Sequence, residues 1–168
     1  TALHNNTATA HTAIGSEAIL SNTTGNYNTA VGYRSLKSNT TGTQNIAVGG
    51  EALEANTTGE YNVAIGKNAL LSNTEGDNNT AVGRICLDAN TTGIRNTAIG
   101  AASLGANTTG GSNTAVGYLA LAANTTASNL VAVGLNSMYS NTTGEDNTAV
   151  GAAALFSNTT GTDNTAVG

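Results

Sequence analysis

Small and polar residues dominate this chain, and its few larger apolar residues recur at fixed places. Residues 28–44 set the pattern: Asn-Thr-Ala-Val-Gly, two variable residues, Ser-Leu, one variable residue, Ser-Asn-Thr-Thr-Gly and two more variable residues. The Thr-Ala-Val-Gly segment predicts a short strand, with β-branched residues at alternate positions and punctuation at both ends. Thr29 and Val31 fall on one face of it, Ala30 and Gly32 on the other. The following Ser-Leu-Lys-Ser-Asn segment fits either one short helical turn or a second strand. It is too short for an independent helix. Asn-Thr-Thr-Gly predicts a turn, with the Asn side chain bonding its own backbone and Gly supplying a positive φ.

The unit repeats every 17 residues, with Gly15, Gly32, Gly49 and so on to Gly168, and Asn22, Asn39, Asn56 and so on to Asn158. No insertion breaks the phase, so residues 1–168 form one array of about ten units with no separate domain or linker. We expect it to be a segment of a longer fibre. Strict phase with drifting surface positions predicts a β-solenoid, in which one repeat makes one coil and equivalent residues stack on the next coil. At a strand spacing of about 4.8 Å, ten coils extend on the order of 48 Å. The columns of Ala30, Val31, Gly32 and Leu36 are restricted throughout. Their equivalents Ala47, Val48, Leu53, Ala64, Ile65 and Leu70 complete the expected structural columns. We read the β-branched face as filling the coil interior. The Ala/Gly face then packs closely against something else, for which a second chain is the simplest candidate, and the thin core argues for an oligomer. Ala127 replaces a turn Gly and Glu75 a turn Thr, so those two turns are expected to differ locally.

Composition narrows the possibilities. Thr, Ala, Asn and Gly dominate, charged residues are 9% of the chain and the net charge is −5. Five basic residues are too few for the phosphate contacts of a nucleic-acid binder. One cysteine excludes an intrachain disulfide. No apolar stretch approaches the ~18 residues of a membrane-spanning helix.

The unit Asn-Thr-Ala-Val-Gly-x-x-Ala-Leu-x-Ser-Asn-Thr-Thr-Gly resembles repeats of phage and bacterial tail-fibre-type proteins. More distantly, it is similar to the head repeats of trimeric autotransporter adhesins, which carry an Ala-Ile-Gly strand in a shorter unit. The matching positions are Ala13, Ala64 and Ala98, each followed by Ile-Gly. The resemblance implies a β-roll packed as a trimer, and an extracellular location on a virion tail fibre or a cell-surface appendage.

Candidate chemistry is sparse. His4 and His11 are the only histidines, and the irregular first copy holds both. Cys86 occupies a small-residue column, where packing explains it better than nucleophilic chemistry. No catalytic, metal or cofactor site is expected, and the chain is read as a non-enzyme. Asn22, Asn39, Asn56, Asn90, Asn107, Asn124, Asn141 and Asn158 each begin Asn-Thr-Thr, and Asn5 and Asn78 begin Asn-Asn-Thr. All ten are formal glycosylation sequons. The Asn-Thr-Thr column also suits a ladder of stacked amides, which is the preferred reading. The functional expectation is a stiff extracellular rod for attachment to a host or surface. Its partners are copies of itself and, through exposed columns such as Tyr33, Lys37 and Gln44, a host glycan or protein. The alternative is a monomeric ice-binding or glycan-binding solenoid, although the adjacent Thr40 and Thr41 cannot share one strand face.

Overall fold

The computed structural model describes residues 8–168. It is an all-β solenoid, without a helix among the described residues. Ten three-residue strands, from Thr12–Ile14 to Thr165–Val167, form one parallel sheet in sequence order. Each strand pairs with its copy 17 residues on, as in Thr29↔Ile46, Ala30↔Ala47 and Val31↔Val48. Crossover lengths are therefore constant, and equivalent residues stack without a register shift.

The strand turns its alanine inward. Ala30, Ala47 and Ala64 are fully buried in one core cluster with Leu36, Leu53 and Leu70. Its β-branched residues point outward: Val31 and Val48 are only half-buried, and Ile65 keeps 40% of its surface exposed. The expected sidedness is therefore reversed. The reason is the width of the coil. The interior already holds a Leu, the Asn side chains and the small residue of the Ser35 column, which leaves room for a methyl group at Ala30 and nothing larger. Ala is fixed by its own coil and needs no neighbouring chain to explain it.

The glycines divide into two kinds. Gly32 has a φ of 137°, a backbone conformation that L side chains rarely adopt. Gly42, in the Asn-Thr-Thr-Gly turn, has no positive φ, contrary to expectation. Space requires it: a Cβ there would meet Asn39 Oδ1 at 2.5 Å.

The segment after the strand is neither a helical turn nor a strand. It alternates direction through left-handed residues at Arg34 (φ 56°) and Leu36 (φ 50°). Gln44 adds a third left-handed residue to the coil (φ 56°). Ordinary side chains rarely accept this conformation, and β-branched Ile19 and Ile85 accept it here at φ 47° and 49°. Neighbouring coils hold it in place. Arg34 N–H donates to Ser16 O at 2.9 Å, and Leu36 N–H to Ala52 O at 3.0 Å. Local strain persists where the surroundings over-determine it.

Candidate functional site

No cavity or cleft opens among the described residues. The functional candidates are therefore surfaces and columns. The most ordered is the Asn39 column. Asn39 Nδ2 donates to Asn22 Oδ1 at 2.8 Å and to Gly42 O at 3.0 Å. Asn56 repeats this on Asn39 Oδ1, and the ladder runs on through Asn73, Asn90, Asn107 and Asn124. A second column stands beside it. Asn28 Nδ2 donates to Gly42 O at 2.8 Å, while its Oδ1 accepts the Asn45 N–H at 2.9 Å. Each amide is buried with both its nitrogen and its oxygen bonded, so it satisfies the interior instead of costing desolvation.

This is how the structure uses the sequon asparagines. Asn22, Asn39, Asn56, Asn90, Asn107, Asn124 and Asn141 are fully buried, and Asn158 in the last coil is half-buried. Asn78 is exposed, while Asn5 and His4 lie outside the described residues. Thr40 forms a third column by donating its hydroxyl to Thr57 O at 3.0 Å. Thr41 faces solvent, so Glu75 in its column changes little: Glu75 N–H bonds Thr91 O at 3.2 Å, as Thr58 N–H bonds Thr74 O. Only the expected irregularity at Ala127 has structural consequences.

Cys86 is buried, with its thiol against Ala98 O and Ser103 Oγ, both at 3.1 Å. Burial pushes its pKa up to about 11, so it is a packing residue held as the unreactive thiol. The described residues hold no group of three His, Cys, Asp or Glu side chains placed for a metal ion. Arg34 bridges Glu17 at 3.0 Å and Glu54 at 3.3 Å, and Lys37 reaches Glu17 at 2.9 Å. These are solvated surface pairs of small energetic weight.

His11 stands in the Asn28 column of the first described coil. Its Nδ1 accepts the Asn28 N–H at 3.3 Å, and burial lowers its pKa. A folded value below the ordinary one of about 6.5 means that the unfolded chain takes up the proton first. The stability of this coil is therefore complete above pH ~6.5 and declines as pH falls through that value. The Asn28 amide is expected to exchange with solvent faster at pH 5 than at pH 7.5, after correction for intrinsic rates. The Asn62 amide, bonded to Asn45 Oδ1, serves as the pH-independent control.

The outer strand face repeats in every described coil. It carries Thr or a β-branched aliphatic residue in the Thr29 column and only Val or Ile in the Val31 column, with no charge in ten coils. Ile46 and Ile99 each keep 41% of their surface exposed. Tyr27, Tyr33, Tyr61 and Tyr118 are exposed elsewhere, and Tyr139 stacks on Phe156 with ring centroids 5.2 Å apart. The sequence signalled this apolar face by its alternating pattern, but not the direction in which it points.

No protein-family model, curated protein or solved structure matches the chain.

Proposed function

We propose that the chain is a structural rod, a segment of an extracellular fibre that assembles as a homotrimer through its outer strand face. One observation carries this reading. The Thr29 and Val31 columns lie at the surface, yet no charged residue enters either of them. Surface columns of a free solenoid have no reason to avoid Lys and Glu, as the Arg34 and Lys37 columns demonstrate. An uncharged strip that is aliphatic along the whole Val31 column is the usual mark of an interface. Another coil array with the same spacing matches it along its whole length. The Asn and Thr ladders supply stiffness without disulfides.

The test is native mass spectrometry or light scattering on the protein and on a Val82→Lys/Val116→Lys double variant. Both residues lie in the outward column, so coil formation should survive and circular dichroism should be unchanged. The unaltered chain is expected at three times 16.5 kDa and the double variant at the single-chain mass. A trimer that persists with both lysines sinks the proposed interface.

The same face favours a second reading. Thr29 and Val31 project side by side and repeat at every coil, a regular array suited to ordering water as an ice-binding surface does. This reading requires a monomer that slows ice recrystallisation, and the mass measurement separates the two.

A further inference from the structure

One coil departs from the ladder rules twice. Ala127 occupies the column of the turn glycines, and Leu130 occupies the column of Asn28. At Gly93 an added methyl would meet Asn90 Oδ1 and the Gly110 carbonyl of the next coil, and Ala127 carries such a methyl. Leu130 donates its backbone N–H to Asn113 Oδ1 at 3.0 Å, but it has no amide to offer the following coil. The buried Asn147 therefore lacks the side-chain acceptor that Asn28 Oδ1 gives Asn45 and Asn96 Oδ1 gives Asn113. Gly144 O accepts from Asn141 at 2.9 Å, whereas Gly42 O accepts from both Asn28 and Asn39.

The effect extends along the turn side of the contact between the coil of Asn124–Leu130 and the coil of Asn141–Asn147, while Leu121 N–H to Ser137 O keeps 3.0 Å and Gly151 N–H to Val133 O keeps 2.8 Å. The Asn141 Nδ2 to Asn124 Oδ1 distance is 3.4 Å, against 2.9 Å for Asn124 on Asn107 and again for Asn158 on Asn141. Thr125 N–H reaches Thr142 O at 3.2 Å, against 2.8 Å for Thr108 on Thr125. The Thr126 N–H makes no bond to that carbonyl, whereas the equivalent Thr109 N–H bonds Thr125 O at 3.4 Å. Val131 N–H to Asn147 O is 3.0 Å, against 2.7 Å one coil earlier, and Asp146 N–H to Ser128 O is 3.4 Å. Side-chain rungs, turn and strand edge all loosen at the same level.

We infer that this seam is a built-in yield point, the internal contact at which the rod opens first. Each coil of a solenoid touches only its neighbours, so one weak contact divides the array into two cooperative blocks. Local opening follows the least stable contact and not the average one.

Hydrogen exchange on the intact protein tests this. The Thr125, Val131 and Asp146 amides are expected to exchange at least ten-fold faster than Thr108, Thr114 and Asn129, their equivalents one coil earlier. The Ala127→Gly/Leu130→Asn double variant restores both missing features and should bring the two sets level. Equal protection on the two sides in the unaltered chain overturns the inference. So does a smooth decline toward the last coil with no step at the seam, which is ordinary end fraying. A double variant that folds and still exchanges fast at the seam overturns it too. If the variant does not fold, the comparison within the unaltered chain decides.

Discussion

Gly83→Ala is expected to destabilise the protein by about 3 kcal/mol or more, among the larger effects of a single substitution. Two costs add. The backbone φ at Gly83 is 144°, where a side chain is strained whatever the space around it. A Cβ there would also lie 2.6 Å from the Gly100 carbonyl oxygen, so relief requires two coils to separate. Gly93→Ala is the informative comparison. Its φ is not positive, and Ala127 already occupies an equivalent place. The second variant should therefore lose clearly less stability, on the order of 1–2 kcal/mol. Denaturation midpoints followed by circular dichroism compare them. Equal losses would mean that backbone conformation is not what reserves the Gly83 column for glycine.

Asn73→Asp is nearly isosteric and is expected to cost about 3–5 kcal/mol at pH 7. Asn73 Nδ2 donates to Asn56 Oδ1 at 2.9 Å and to Gly76 O at 3.0 Å. A carboxylate turns an oxygen toward both acceptors and buries a charge with no cation beside it. Its pKa must rise above the unfolded value of about 3.9. The folded state then binds the proton more tightly, so part of the lost stability returns as pH falls below the raised value. Glu75→Gln, two residues away on the exposed side, should stay within about 0.5 kcal/mol of the unaltered chain. Urea titrations at pH 7 and pH 4 read both effects. A variant equally stable at the two pH values would show that the ladder amide is not sealed from solvent.

The repeat, the parallel stack, the turn and the amide ladder were legible because each leaves a fixed column. The direction of the strand was not. Ala30 is invariant because the coil interior is narrow, and Val31 is restricted although it points out. Two different causes leave the same trace in a sequence, and only the burial of Ala30 against Leu36 separates them. The glycine of the Asn-Thr-Thr-Gly turn was legible as a requirement but not in its cause, since steric exclusion and a positive φ both select glycine. The left-handed backbone at Leu36 left no signal at all. Leu, Ile and Met occupy that column, and none of them favours it. Bonds to the coils above and below impose the conformation, so local preference is overridden. The outward strip was visible as a pattern. The loosened seam was half legible: Ala127 breaks a glycine column that the turn demands, whereas the buried role of the asparagine column that Leu130 breaks shows only in the structure.

A constant 17-residue repeat with unshifted register makes the solenoid indifferent to its own length. Where the ladder columns are unbroken, a coil removed leaves two surfaces that fit each other, and a coil added finds the same partners on both sides. Reach then changes in steps of about 4.8 Å, with no redesign of core, turn or face. Length in such a molecule is set by the number of units and is almost uncoupled from how each one folds.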